Sequence, residues 1–372
     1  MAGPLQLFSN VSAIERRALT YSDPIERLRY LRRATAPRPA RTAWTTWIAC
    51  FGLAMAMGTF RSDAINREAP AHPIRPAATP RAVLETPDVW PVEQTKDYDL
   101  YSNGLRIDNS LAVANAPRSY YLIARGSGAP GPLRDQPAGI LFHTTENEPP
   151  PFERVQNTAL KRAGRELLLY VRNKRAYHFV IDRFGRVYRI VVESDMANHA
   201  GHSIWADSKW SYVDLNDSFI GVAFEASMQS DQAIITEAQL RAAKALTEML
   251  RAKYNLAAEN CVVHAQVSIN PTNNRIGWHT DWGSGFPFGE MGLPDNYTIP
   301  NPSIYLFGFE FDPAYRNATG PELWKGLEEA EARVREAAAG HGVTPAQYRK
   351  VLQQRFLDAL SAIEHRKADE EN

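Results

Sequence analysis

Histidines are concentrated in the middle of this 372-residue chain, at spacings that could bind a metal ion. Six of the nine lie there: His143, His178, His199, His202, His264 and His279. His143 follows the apolar run GILF and His264 follows the apolar run CVV, so each is expected at the end of a buried strand. Two strands that end side by side would bring both imidazoles to one ion. Asp281 offers an oxygen ligand, and three protein ligands are typical of a catalytic zinc site.

A single histidine is more often an ordinary surface or core residue than a ligand, so this prediction depends on the arrangement as a whole. His178 and His199 are interpreted as residues that pack in the core or orient a metal ligand. The two cysteines, Cys50 and Cys261, are too few for a disulfide framework or a Cys-rich zinc ribbon. Histidines and carboxylates must therefore hold any metal that the chain binds.

Five short segments resemble motifs of the type-2 N-acetylmuramoyl-L-alanine amidases and occur in the same order. They are Phe142–Thr145, Tyr177–Ile181, His199–Gly201, Ile220–Val222 and His279–Asp281. That family includes the peptidoglycan recognition proteins and the phage lysozyme amidases. The resemblance covers residues 136–290, and it implies a Zn²⁺-dependent hydrolase that cuts the amide between N-acetylmuramic acid and L-alanine of peptidoglycan.

The resemblance also implies roles for individual residues. His143 and His264 match the two zinc histidines of the family, and Asp281 matches its third ligand. His279 would donate to the oxygen that gathers charge during attack on the amide. Tyr177 matches a tyrosine that several members place beside the attacking water.

This chain departs from the family pattern at three places. Some relatives carry a catalytic glutamate two residues after the strand glycine, where this chain has Ala223. The nearest carboxylate on that strand is Glu225, which would point to the same face as Ala223 in a regular strand. Seventeen residues separate His264 from Asp281, which implies a loop insertion, and Trp282 stands where proline is common. Tyr177 and Glu225 are therefore both candidates for the general base.

The substrate side of the site is less clearly indicated. Aromatic residues could stack on sugar rings or on the stem peptide, or could equally belong to the core. These candidates are Trp205, Trp210, Tyr212, Trp278 and Trp282. Two other functions stay open beside the amidase: a non-catalytic peptidoglycan-binding module, and a zinc endopeptidase that acts on stem peptides. The helical His-Glu-x-x-His motif of many zinc peptidases is absent, which weakens the second.

The elements that must position these residues alternate between helix and strand, which predicts an α/β fold. By the resemblance, this is a central mixed β-sheet flanked by helices, over residues 136–290. Helical periodicity covers 152–173, with Val155 among its predicted core positions, and Thr236 with Gln239 predicts a capping box for a second helix that ends at Tyr254. Residues 291–372 are predicted to form a C-terminal helical extension.

The N-terminal third has a different character. Residues 1–41 carry eight arginines against three acidic residues, and 42–60 form an uncharged apolar run of a length that could span a bilayer. The positive-inside rule then predicts a single-pass inner-membrane anchor, with the catalytic domain in the periplasm or cell envelope. A cleaved signal peptide and a buried soluble helix are the alternatives for this run. Residues 61–135, rich in proline and alanine, are predicted to be a linker, with a short ordered piece around Tyr98–Ile107.

Charge balance bears on the expected partners. Forty-two basic residues match forty-two acidic ones, so no net positive field favours nucleic acid. The partners expected are therefore peptidoglycan or muropeptides, and the membrane through the N-terminal helix.

Overall fold

The computed structural model describes residues 85–125, 127–229 and 232–371. The arginine-rich segment 1–41, the predicted membrane helix 42–60 and the start of the predicted linker lie outside these residues. Within the described part of the chain, we find no helix with the length and apolar character needed to cross a membrane.

The strands of the described residues are short and are numbered in chain order. They are β1 (Pro91–Gln94), β2 (Tyr98–Tyr101), β3 (Arg106–Asp108), β4 (Tyr120–Ala124), β5 (Pro130–Arg134), β6 (Gly139–Thr144), β7 (Phe179–Ile181), β8 (Val187–Arg189), β9 (Ile204–Ala206), β10 (Trp210–Val213), β11 (Phe219–Phe224), β12 (Met228–Gln229), β13 (Gln232–Ala233), β14 (Cys261–Val263), β15 (Ile269–Asn270) and β16 (Arg275–Ile276).

The helices are numbered in the same way. They are α1 (Asn157–Lys174), α2 (Leu215–Ser218), α3 (Glu237–Tyr254), α4 (His264–Val267), α5 (Pro302–Phe307), α6 (Pro313–Thr319), α7 (Trp324–Gly340) and α8 (Pro345–Glu371).

An eight-stranded mixed sheet forms the centre of the fold, in the order β1-β2-β3-β8-β7-β11-β6-β14. Strands β7, β11, β6 and β14 run parallel to one another, whereas β8 is antiparallel to β7. Every residue of β6 and β11 is buried, as expected for parallel strands that are covered on both faces. The predicted α/β architecture with a central mixed sheet is therefore confirmed.

The carboxyl ends of the four parallel strands meet at one edge of this sheet. Because β11 pairs with both β6 and β7, and β14 pairs with β6, the four strand ends follow one another in the order β7, β11, β6, β14. Ligands of open α/β sheets bind at such an edge. This edge is called the carboxyl edge below.

The predicted linker 61–135 is wrong from residue 91 onward. Strands β1, β2 and β3 extend the main sheet, and β4 and β5 belong to a second, four-stranded sheet with the order β5-β4-β10-β9. Ile107 is fully buried and pairs with Val187 of β8, so this segment contributes to the core. The segment as a whole is rich in proline and alanine, and its strands are short with few apolar residues each. The sequence pattern of these strands is therefore weak.

The two long helices of the middle segment largely agree with the predictions. Helix α1 buries Leu160, Leu168 and Val171 against the sheet, but Val155 precedes the helix and is 84% exposed. Helix α3 starts with the predicted capping box, in which Gln239 N–H donates to Thr236 Oγ1 and Thr236 N–H donates to the Gln239 side chain.

The C-terminal residues are helical, as predicted, but they do not form a separate layer. Residues from α5, α7 and α8, such as Phe307, Leu327 and Phe356, belong to the same buried cluster as Phe142 and Phe224 of the central sheet. The boundary predicted at 290/291 therefore does not divide two cores.

Candidate metal centre

The three predicted metal ligands meet at the carboxyl edge. His143 is the penultimate residue of β6, and His264 is the first residue of α4, directly after β14. Since Val263 pairs with Phe142 in parallel register, these two strand ends lie side by side. Asp281 comes from the loop after β16, and its backbone carbonyl accepts a hydrogen bond from Ala265 N–H at 3.1 Å. That bond holds the inserted loop against the start of α4.

The three side chains direct their ligand atoms at one point. Asp281 Oδ1 lies 2.9 Å from His264 Nδ1, and Asp281 Oδ2 lies 3.3 Å from His143 Nδ1. The two Nδ1 atoms are 3.1 Å apart. All three residues are buried. Within the described part of the chain, their ligand atoms lie close enough together to hold one metal ion. His143, His264 and Asp281 are called the ligand cluster below.

Hydrogen bonds on the far side of each imidazole determine which nitrogen carries the proton. His199 Nε2 lies 3.3 Å from the Phe219 carbonyl, so it carries a proton and donates it there. His199 Nδ1 is then an acceptor, and it receives the proton on His143 Nε2 at 3.1 Å. His264 Nε2 donates in turn to the Ala200 carbonyl at 3.3 Å. Both Nδ1 atoms therefore direct lone pairs into the cluster.

The charge state of the cluster follows from its burial. Burial, with the neighbouring His264, lowers the pKa of His143 to about 4. Burial alone would raise the pKa of Asp281, but the two histidines outweigh it and hold that pKa well below its usual range. Two lone pairs and one carboxylate thus converge where a buried anion needs a partner. A divalent cation fits this donor set, and two imidazoles with one carboxylate are typical zinc ligands.

Tyr177 and His279 flank the ligand cluster. Tyr177 has a left-handed backbone (φ +60°), and its ring centroid lies 5.1 Å from that of His143. Burial raises the pKa of Tyr177, and the carboxylates of Asp281 and Glu146 raise it further, so the phenol stays protonated at neutral pH. His279 stacks on His264 with ring centroids 4.5 Å apart. His279 is exposed as a residue, but desolvation of the ring stacked on His264, with His264 beside it, lowers the pKa of His279 to about 4.

The structure does not bring Glu225 to the ligand cluster. Its carboxylate is buried beneath α1, where a Cβ on Gly164 would lie 3.4 Å from either oxygen. Oε2 accepts the Arg183 backbone N–H at 3.1 Å, and Oε1 has no hydrogen-bond partner within the described residues. Burial raises the pKa of Glu225, so environment and position both separate it from the metal centre.

Two other parts of the site were not evident from the sequence. The Ala200 carbonyl, which orients His264, is a backbone group and leaves no trace in residue types. Glu146, two residues beyond β6, has φ +52° and accepts the Met228 N–H at 3.2 Å. A glutamate with positive φ is uncommon, but only the structure reveals that angle.

Most of the aromatic candidates prove to be core residues. Trp205 and Trp282 are fully buried, and Tyr212 is buried as well. Trp210 is partly exposed, whereas Trp278, next to His279, is 49% exposed. Trp278 is therefore the candidate beside the ligand cluster that has a free face for stacking.

A family model matches the part of the chain that holds this site. Residues 133–284 match the family model described as N-acetylmuramoyl-L-alanine amidase. That segment contains the ligand cluster, Tyr177 and His279. No curated protein matches the chain significantly.

Several solved structures resemble part of the chain. The amidase AmiD from E. coli is 18% identical, with 63% of this chain and 97% of AmiD covered and a TM-score of 0.35. The amidase LysC from Clostridium intestinale is 19% identical, with 50% and 93% covered and a TM-score of 0.28. Drosophila PGRP-LB is 13% identical, with 43% and 86% covered and a TM-score of 0.26.

Proposed function

We propose that residues 133–284, which match the family model described as N-acetylmuramoyl-L-alanine amidase, use one zinc ion to hydrolyse the amide between N-acetylmuramic acid and L-alanine of peptidoglycan. The convergence of three unprotonated ligand atoms, from His143, His264 and Asp281, carries the proposal. These residues would hold the ion and leave it with a net positive charge. When bound, zinc would supply a water-derived nucleophile at neutral pH and polarise the amide carbonyl.

The residues that flank the ligand cluster would orient the attacking water and donate protons during the reaction. Tyr177 keeps its phenolic proton at neutral pH and lies beside His143, so its Oη would orient the attacking water and deliver a proton toward the leaving amine. His279, neutral at pH 7 because its pKa is lowered to about 4, would donate a ring N–H to the carbonyl oxygen as negative charge develops there. Glu225 makes no contact with the ligand cluster and takes no part in this scheme.

Product analysis on a defined muropeptide tests the proposal. The full chain, with zinc and with a chelator, would be incubated with the muropeptide and the products weighed by mass spectrometry. We expect a free stem peptide with L-alanine at its new N-terminus, lost with the chelator and in His143→Ala. Intact muropeptide beside a zinc-loaded protein would indicate a binding module. Cleavage inside the stem peptide would indicate an endopeptidase.

We also propose, from the sequence, that residues 42–60 anchor the chain in the inner membrane and that the amidase domain lies in the cell envelope. The uncharged run and the eight arginines before it support this topology. Protease added to spheroplasts should degrade residues 138–290. Protection of that region in intact spheroplasts, with degradation after lysis, would contradict the placement.

A further inference from the structure

Helices α1 and α3 cover opposite faces of the central sheet. Both helices have 18 residues. Leu168 of α1 packs in one buried cluster with Val180 of β7, whereas Leu246 of α3 packs in another with Phe179 of the same strand. Successive residues of a strand point to opposite faces of a sheet, so the two helices lie on opposite sides. They form a matched pair whose outer surfaces can be compared.

The outer surface of α3 is that of an ordinary solvated helix. Arg241 lies 3.2 Å from the Glu237 carboxylate, and Lys253 lies 3.2 Å from the Glu193 carboxylate. No large apolar side chain of α3, all of whose residues are described, is among the exposed ones. Two of its cations are therefore balanced by anions within the chain, and its apolar side chains are turned toward the core.

The outer surface of α1 carries basic side chains that nothing in the chain balances. Glu166 is the one acidic residue of this helix. Within the part of the chain that the structure describes, none of the basic side chains on this surface forms an ion pair or a hydrogen bond. Most of them are exposed, and they are Lys161, Arg162, Arg165 and the partly exposed Arg172. A chain with no net charge thus concentrates positive charge on one side of one helix.

An exposed leucine lies among these basic residues. At about 100° per residue, the four basic positions occupy a sector of roughly 100° around the helix axis, and Leu169 falls inside that sector. Leu169 is 42% exposed, and the adjacent Tyr170 is 61% exposed. Water alone favours neither unpaired cations around an apolar side chain nor the exposure of that side chain. Leu169 and the four basic residues are called the basic face below.

We propose that the basic face binds the surface of a bilayer that contains anionic phospholipids. Lipid phosphates would pair with the guanidinium and ammonium groups, while Leu169 would enter the boundary between headgroups and acyl chains. A soluble anionic polymer would use the cations but would leave Leu169 in water, so the lipid surface fits this face better. The contact is peripheral, and it depends neither on the amidase reaction nor on residues 42–60.

Covalent labelling of lysines in the full chain tests this contact. An amine-acetylating reagent would be added with vesicles of phosphatidylcholine alone or of an equal mixture with phosphatidylglycerol, and labelling at each lysine would be measured by mass spectrometry. We expect the anionic vesicles to protect Lys161 and the neutral ones to leave it reactive. Lys244, an exposed lysine on α3, should react equally with both. Because the measurement is local, insertion of residues 42–60 into either kind of vesicle does not imitate this result.

Salt and charge variants measure the electrostatic part of binding. Salt at about 1 M shortens the Debye length to about 3 Å and should remove the protection of Lys161. Each basic residue near an anionic surface contributes about fivefold to binding, so Arg162→Gln with Arg165→Gln should raise the anionic lipid needed for half-protection about 25-fold. The matched variant, Arg241→Gln with Lys244→Gln, removes two cations from α3 and should leave the protection unchanged.

A variant of the leucine separates lipid from other anions. Leu169→Gln should raise the lipid needed for half-protection of Lys161 about fivefold, because part of an apolar side chain no longer leaves water. The denaturant midpoints of all variants should match that of the wild type, since the replaced side chains are exposed and form no ion pair with the core.

Three results would overturn the proposal. Equal protection of Lys161 by neutral and anionic vesicles would show that headgroup charge is not recognised. Protection that survives in Arg162→Gln with Arg165→Gln would assign it to another surface. Soluble polyphosphate that protects Lys161 as well as vesicles do at the same phosphate concentration, with Leu169→Gln without effect, would make the face a site for anionic polymers. None of these measurements requires hydrolysis, so they stand apart from the muropeptide digestion.

Discussion

Two clusters of buried polar side chains lie on the central sheet and differ in whether their charges balance. In the first, called the charge cluster here, Arg189 pairs with Asp99 at 2.9 Å and with Glu193 at 2.7 Å, and Lys253 pairs with Glu193 at 3.2 Å. Arg189, Asp99 and Glu193 are buried and Lys253 is exposed, so two cations meet two anions. The ligand cluster holds one carboxylate and two imidazoles, and no arginine or lysine of the described residues pairs with them.

This difference distinguishes buried polar groups that stabilise the fold from buried polar groups that bind a ligand. A buried charge network that is complete within the chain joins elements, and Arg189 here ties β8 to the β2 residue Asp99. A buried cluster that lacks a counter-charge implies a partner from outside the chain. The ligand cluster has no arginine or lysine to balance its carboxylate within the described residues. By this criterion it indicates a functional site, whereas the charge cluster belongs to the fold.

The largest effect is expected when His143 is removed from the ligand cluster. His143→Ala should bind zinc too weakly to retain it through dialysis and should lose at least about 10³-fold in kcat/KM, because the ion supplies the nucleophile. Zinc content by elemental analysis and muropeptide turnover measure the two effects. A variant that kept both its zinc and its activity would place the metal elsewhere.

The charge cluster should respond in stability rather than in metal binding. Arg189→Met leaves Asp99 and Glu193 buried without their shared partner, which should lower the free energy of unfolding by about 3–5 kcal/mol. Denaturant titration of the zinc-free protein measures this cost. The folded fraction should bind zinc with wild-type affinity. A weakened zinc affinity in that fraction would mean that the two clusters are coupled.

A smaller effect is expected one contact away from the ligands. His199 accepts the His143 Nε2 proton and so keeps the Nδ1 lone pair directed at the metal. His199→Ala should weaken zinc binding by about 10–100-fold, as is usual when the partner of a ligand is removed. His202→Ala, at an exposed histidine three residues away, is the matched control. Competition with a chromogenic chelator gives both affinities, and equal values would remove His199 from the metal centre.

That His143 and His264 meet at one sheet edge was predictable from the sequence for a physical reason. His143 and His264 each follow an apolar run, and a buried strand that ends on a polar residue presents it at a sheet edge. Strand order, which makes these two ends neighbours, depends on long-range pairing that no local pattern encodes. Asp281 was identified through the family resemblance, since a single aspartate in a loop carries no signal of its own.

The errors have equally specific causes. Alternation along a strand gives the face of a side chain but not where its end group lies, so Glu225 could be placed on the face of His143 although it lies beneath Gly164. In the segment 91–134, short strands such as β1 are exposed along their whole length and lack the alternation that marks a strand.

The buried histidines should also make stability depend on pH. Burial, with the Arg118 guanidinium beside it, lowers the pKa of His178 to about 3, whereas an unfolded histidine titrates near 6.5. The unfolded state therefore takes up the proton first, so this contribution is present above about pH 6.5 and is lost as the pH falls toward 3.

Denaturant midpoints of the zinc-loaded protein, measured from about pH 6.5 to pH 5, test this dependence. His178 Nδ1 accepts the Gly221 N–H at 2.9 Å, and its Nε2 donates to the Asp195 carbonyl at 3.0 Å. His178→Gln should flatten the slope by up to about 1.4 kcal/mol per pH unit, because glutamine can make both hydrogen bonds but does not titrate. His202→Gln, at an exposed site, should leave the slope unchanged. An unaltered slope in His178→Gln would show that His178 does not titrate in this way.

The smallest effect is expected at Glu225, the carboxylate that sequence reasoning offered as a general base. Loss of a true general base costs about 10²-fold or more in kcat. Because Glu225 lies beneath α1 and binds the Arg183 backbone, Glu225→Gln should instead keep kcat within about threefold, since no reacting proton is within its reach. Tyr177→Phe is the matched comparison and should lose far more. Turnover of one muropeptide by both variants measures the contrast. A kcat in Glu225→Gln as low as in Tyr177→Phe would mean that a buried, unpaired carboxylate can serve the reaction from beneath the helix.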